Sequence, residues 1–132
     1  MTAAFMLDTD TVSWALRGQG AVSGNVLKYR PSQLCISSIT LAELRYGADA
    51  KGSRKLHGLI STFIAPIVVV PFDEAAADKF GPVASALAKR GEPIGTFDTL
   101  IAAHAVSCDL TLVTNTTRHF QRVAGLKLAN WA

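Results

Sequence analysis

The sequence predicts an α/β fold built on a short parallel sheet with helices on both faces. Brief apolar or β-branched runs at 3–7, 34–36, 67–70 and 111–113 alternate with longer stretches of helical periodicity. Acids stand where helices should open, at Asp10 and Asp73. No repeat, low-complexity stretch or linker divides the chain, so one domain over 1–132 is expected.

The first strand is the run at 3–7. Asp10 is placed to cap a helix from Thr11 that turns Val12, Ala15 and Leu16 inward and stops at Arg17-Gly18. A second helix is expected over 21–29, ended by Pro31. Leu34-Cys35-Ile36 reads as a buried strand. The helix after it, over 39–50, sets Leu41, Leu44 and Ala48 on one face. Leu56, Leu59, Ile60 and Phe63 mark an amphipathic helix over 53–64. A β-branched strand at 67–70 is closed by Pro71. Asp73 then opens a long helix to Arg90 with Ala76, Phe80, Val83 and Leu87 inward. Gly91-Glu92-Pro93 is a turn. An apolar helix over 98–107, a strand at 111–113 and a short strand at 126–128 complete the pattern.

With 49% hydrophobic and 17% charged residues in 132, the chain is a packed protein rather than a disordered tail. Thirteen Lys and Arg against ten Asp and Glu leave a net charge of +3, which permits a nucleic-acid partner without demanding one. Met1-Thr2-Ala3-Ala4 offers no basic leader and the apolar runs fall short of a membrane span, so a soluble cytoplasmic protein is expected. Cys35 and Cys108 stand in apolar surroundings without CxxC or metal-ligand spacing, and both are expected as buried free thiols.

Three carboxylates fall at element junctions: Asp8 after the first strand, Glu43 inside SITLAEL, and Asp98 before TLIAAHA. Each has an ordinary explanation. Asp8 suits a strand-end turn, Glu43 could close a capping box with Thr40, and Asp98 could complement a helix dipole. In an open parallel sheet, however, the carboxyl ends of the strands converge on one edge. Two carboxylates about 4 Å apart repel by roughly 4 kcal/mol at an effective dielectric of 20, a cost that Ser, Thr or Asn caps would avoid. A hard divalent cation relieves it, which points to metal-dependent phosphate chemistry. The last strand brings Thr114, Asn115, Thr116, Thr117, Arg118 and His119 to the same edge. There Thr114 or Asn115 could bond the acids or a metal-bound water, and Arg118 and His119 could face phosphate. His57 and His104 are expected to be ordinary helix-face partners.

At these residues the chain resembles the PIN-domain ribonucleases, and among them the VapC toxins of bacterial toxin–antitoxin pairs. The segments are FMLDTDTVSWAL, ISSITLAELRYGA, VVPFDEAAADKFG, PIGTFDTLIAAHAVS and LVTNTTRHFQRVAGLKLANW, in the family's order over nearly the whole chain. The resemblance implies a three-layer α/β/α PIN-like domain and Mg²⁺- or Mn²⁺-dependent hydrolysis of structured RNA, usually transfer RNA, leaving 5′-phosphate and 3′-hydroxyl ends. It implies a VapB-like antitoxin, a homodimer, and Asp8, Glu43 and Asp98 as catalytic metal ligands. Large apolar groups on the helices, among them Trp14, Leu44, Tyr46, Leu56 and Phe63, are expected to leave an exposed remainder for an antitoxin helix.

This chain departs from the family's pattern in places. Asp10 stands where Asn is usual, Thr116 replaces an Asn, and His119 stands where a fourth acid falls. Asp10 adds negative charge close by. Two other readings compete. LDTDT also fits a haloacid-dehalogenase-like phosphatase with Asp8 as nucleophile, but the Lys and acidic pair that should follow LVTN are missing, and no acid occurs after Asp109. The missing fourth acid would also suit a non-catalytic RNA-binding module.

Overall fold

Alternation of side chains along the strands creates two cores. Met6, Cys35 and Leu112 face one side of the sheet with Leu87, Ile101 and Phe120. Leu7, Leu34, Ile36 and Val113 face the other with Val12, Leu44 and Ile60. Strands buried on both faces need helices on both faces, and the fold supplies them.

The computed structural model describes residues 3–132. In order it contains β1 (Phe5–Leu7), α1 (Thr9–Arg17), α2 (Val22–Val26), a 3₁₀ turn (Pro31–Gln33), β2 (Leu34–Ser37), α3 (Ser38–Ala50), α4 (Arg54–Ile64) and β3 (Val68–Val70). There follow α5 (Glu74–Lys89), α6 (Thr96–Ser107), β4 (Thr111–Val113), the short α7 (Thr117–Phe120) and β5 (Lys127–Ala129). The five strands run in the order β3-β2-β1-β4-β5, with parallel pairing throughout. Residues from α1, α3 and α4 pack on one face and residues from α5, α6 and α7 on the other, giving the expected α/β/α layering. Strand order reverses at β1, so the crevice beyond β1 and β4 is where such sheets bind ligands. Among the described residues no helix is long and apolar enough to cross a membrane.

The structure corrects several local expectations. Asp8, not Asp10, caps α1: its carboxylate accepts the Thr11 amide at 2.8 Å. The helix expected over 21–29 shortens to α2, leaving Leu27 84% exposed while Tyr29 stacks on Trp131 at 4.6 Å. The fifth strand is Lys127–Ala129 rather than 126–128. Cys35 is buried as expected, and burial pushes its thiol up to about 12. Cys108 is exposed, because α6 ends at Ser107 and the chain turns outward through Asp109 at φ 54°.

Candidate functional site at the carboxyl edge of the sheet

Asp8 immediately follows β1, and its amide donates to the Val113 carbonyl at 3.0 Å, locking it to the end of β4. Its side chain is only 3% exposed. Burial raises the carboxyl to about 6, with the Thr114 hydroxyl and the Thr11 amide pulling it partway back and Asp10 pushing it further up. The Thr114 oxygen accepts the Thr116 amide at 3.0 Å and lies 3.0 Å from the Thr116 hydroxyl; with Thr116 donating across that contact, the Thr114 proton is left for Asp8.

Asp98 lies in the first turn of α6 and is half-buried. It too is raised to about 6, first by burial, then by the charges of Asp8, Glu43 and Asp10. The acids singled out in the sequence are therefore electrostatic neighbours, although 90 residues separate Asp8 from Asp98. Gly95 sets the approach. It caps α6 at φ 97° and ψ 154°, a conformation open in practice only to glycine, and starts the helix two residues ahead of the sequence expectation.

Glu43 sits on α3, but not in a capping box. Ser37 caps that helix by accepting the Ile39 amide, so Thr40 already lies inside it. The Glu43 carboxylate instead accepts the Thr9 hydroxyl at 2.6 Å. Thr9 is thus a site residue that sequence reasoning missed. Its only signal was a hydroxyl placed beside Asp8.

The loop after β4 is divided. Thr114 is fully buried against Asp8. Asn115 is half-buried, and both polar atoms of its amide are shielded from solvent without a hydrogen-bond partner. Arg118 and His119 are exposed, as is Asp10. His57 bridges Asp49 at 2.7 Å and Arg45 at 3.0 Å, joining α3 to α4 away from the acids. His104 lies in the core, fully buried, rather than on an open helix face.

Ion pairs among the described residues join Asp49 to His57, Glu92 to Arg90 and Arg122, and Asp109 to Lys127. None involves Asp8, Asp10, Glu43 or Asp98. The converging carboxylates and the orphaned Asn115 amide offer hard oxygen donors, the chemistry that suits a hard divalent cation. Among the described residues no three His, Cys, Asp or Glu side chains stand close enough together to hold a metal ion as they are.

Two cavities open beside Glu43 and share Thr9. One, of about 160 Å³, has an apolar floor of Leu16, Leu44, Leu56 and Ile60, with Arg17 and Lys51 also lining it. The other, of about 530 Å³, lies between Tyr46 and Phe97. Of the groups expected to stay partly free, Tyr46 is 75% exposed, Trp14, Leu56 and Phe63 are half-buried, and Leu44 is buried in the core.

A doubly wound parallel sheet with buried acids at its switch point defines an α/β protein whose ligand site lies at the carboxyl edge of the sheet. Comparison with known proteins gives the class its family. Residues 5–126 match the PIN domain. The tRNA(fMet)-specific endonuclease VapC of Shigella flexneri is 39% identical over 97% of this chain and 98% of its own length. Ribonuclease VapC2 of Haemophilus influenzae is 34% identical over 96% and 97%. The crystal structure of DNA-bound VapBC from Salmonella typhimurium superposes with a TM-score of 0.93 at 35% identity, covering 99% of this chain and all of that one. VapBC2 of Rickettsia felis, solved with a fragment of promoter DNA, gives 0.88 at 30% identity, over 98% of this chain and 99% of that one. The chain belongs to the PIN-domain family and, within it, to the VapC ribonucleases of toxin–antitoxin pairs. The phosphatase reading of LDTDT falls with that assignment.

Proposed function

We propose that this protein is a divalent-metal-dependent toxin endoribonuclease that hydrolyses transfer RNA through Asp8, Asp98 and Glu43. The observation that carries this reading is the pair Asp8 and Asp98 at one edge of the sheet, both raised to about 6 chiefly by burial, Asp98 also by the charges of Asp8 and Glu43, with no ion-pair partner among the described residues. Asp8, Asp98 and Glu43 would hold Mg²⁺ or Mn²⁺, with Asn115 and Thr114 beside them. A bound ion would supply a nucleophile at neutral pH and neutralise charge developing on the phosphate.

The rest is the work of the chain's own groups. Thr9 fixes the Glu43 carboxylate, while the Thr11 amide and Thr114 hydroxyl fix Asp8. Asp10 adds negative charge from the first turn of α1. Arg118 and His119, exposed on α7, are free to meet the RNA backbone. In the hydrolysis the water oxygen bonds to phosphorus, the bond to O3′ breaks, and a proton leaves with that oxygen. A 5′-phosphate and a 3′-hydroxyl result.

Two relatives are named for tRNA(fMet), so initiator transfer RNA is the first substrate to try. A VapB-like antitoxin fits the 160 Å³ cavity: an amphipathic helix could seat apolar side chains on Leu16, Leu44, Leu56 and Ile60. Exposed Tyr46 and Phe97 suit contact with a second copy of the chain. The test is cleavage of purified initiator and elongator transfer RNAs with Mg²⁺, with Mn²⁺ and with EDTA, the products mapped by sequencing 5′ ends. Metal-dependent cuts bearing 5′-phosphates are expected. RNA binding without cleavage under any metal would favour the non-catalytic module.

A further inference from the structure

We propose that Ser37 and His104 are positioning residues that tie the helix bearing Glu43 to the helix bearing Asp98. Ser37 ends β2 and caps α3, its oxygen accepting the Ile39 amide at 3.0 Å. The same oxygen lies 2.8 Å from Nδ1 of His104 on α6. Both side chains are fully buried. Glu43 lies six residues beyond Ser37 on α3, and Asp98 six residues before His104 on α6. One hydrogen bond thus joins the two helices less than two turns from their acids.

The bond holds in either tautomer. The Ser37 oxygen accepts the Ile39 amide with one lone pair and keeps a proton and a second lone pair for Nδ1, so it donates to a bare Nδ1 or accepts from a protonated one. Burial lowers the imidazole from its ordinary range, against opposing pulls from Asp73 and the Pro71 carbonyl, and keeps the ring neutral at neutral pH. Nε2 has no hydrogen-bond partner, and the Phe72 ring packs edge-on against the imidazole at 5.3 Å. A buried ring nitrogen without a partner, donor or acceptor, costs stability that an apolar side chain would avoid. Stability alone therefore does not account for a histidine in this core. The hold on Ser37 does.

The inference rests on the assignment of Glu43 and Asp98 as metal ligands. The experiment measures Mn²⁺ affinity by calorimetry, kcat and KM for RNA, and the melting temperature of each variant. Ser37→Ala and His104→Phe should weaken Mn²⁺ binding and lower kcat about tenfold or more, with KM little changed. Ser37→Thr and His104→Asn keep the hydroxyl and an acceptor near the Nδ1 position, and should recover most of the affinity even where they melt earlier. Val22→Ala, buried on α2, controls for lost stability and should bind Mn²⁺ as the unmodified protein does. Unchanged metal affinity in Ser37→Ala and His104→Phe overturns the proposal, as does an equal loss in Val22→Ala or no recovery in the conservative pair. If His104→Phe does not fold, Ser37→Ala against Ser37→Thr decides alone. Failure of the unmodified protein to bind Mn²⁺ would instead sink the ligand assignment.

Discussion

The Thr9 hydroxyl donates to the Glu43 carboxylate at 2.6 Å, across 34 residues of sequence and between two helices. This bond aims the acid with the poorest local constraint, because nothing on α3 itself holds Glu43. Hydrogen bonds to charged groups contribute about 1.5–3 kcal/mol. Thr9→Val should therefore lower cleavage by tenfold or more, while Thr9→Ser, which keeps the hydroxyl, should stay within a few-fold. Single-turnover assays at saturating metal separate the two; equal activity in both variants would remove Thr9 from the site.

Asp98→Asn and Asp8→Asn should abolish cleavage and leave the fold intact. Each removes one charge from a cluster that repels itself, so metal-free stability at neutral pH should hold or rise. A ligand at 100 times its dissociation constant stabilises by about 2.7 kcal/mol, so Mn²⁺ should raise the melting temperature of the unmodified protein and shift these variants far less. A full Mn²⁺ shift in Asp8→Asn would show that the ion binds elsewhere.

Stability should depend on pH in a direction opposite to the usual acid response. Asp8 has a folded-state value of about 6 against an ordinary 3.8, so its contribution to stability is fully present below about pH 4 and is lost as pH rises through 6. A shift of that size corresponds to about 3 kcal/mol for this buried group. Denaturant melts in EDTA should therefore show a protein less stable at pH 7 than at pH 5, and Asp8→Asn should flatten that difference. A metal-free protein that gains stability between pH 5 and 7 would contradict the buried, uncompensated Asp8 described above.

Gly95→Ala tests the approach to Asp98. No atom crowds the place of the added carbon, so any effect comes from backbone conformation alone. Holding a side chain at φ 97° and ψ 154° costs about 1–3 kcal/mol, or moves the start of α6 and Asp98 with it. A lower melting temperature with reduced kcat is expected. Unchanged values for both would mean the turn relaxes without disturbing the acid.

His119→Glu restores an acid where the family pattern has one. His119 is exposed and supplies no negative charge, so the substitution should tighten Mn²⁺ binding if the loop after β4 reaches the ion. Calorimetry that shows the same or weaker affinity would place residue 119 outside the metal's surroundings.

The strands and both faces of the sheet were legible in the sequence, because alternation at Met6-Leu7 and Leu112-Val113 is a local signal with a global meaning. Asp73, the expected opener of the long helix, does cap α5 by accepting the Ala76 amide at 3.0 Å. Other caps were ambiguous for a physical reason. Ser37, Ser38 and Thr40 can each accept an amide, and only the end of β2 decides which one does. Asp8 and Asp10 posed the same choice around α1. That Asp98 lies within electrostatic reach of Asp8 and Glu43 followed from topology and was legible. Their partners were not, since Thr9 meets Glu43, and His104 meets Ser37, only through tertiary packing.

Parallel pairing of β1 with β4 also sets a clock. Thr11 donates to the Val113 carbonyl across 102 residues, and Asp8 is held to the same carbonyl. While the protein is being synthesised, β1 can pair with β2 early, but Asp8 stays without the Val113 carbonyl and the Thr114 hydroxyl that fix it until β4 has left the ribosome. Stalling translation before Thr111 should yield an inert intermediate, and activity should appear only once β4, the Thr114–Asn115 loop and β5 have all been released. The interval between those two points is time in which an inhibitor could reach the early helices before there is any activity to inhibit.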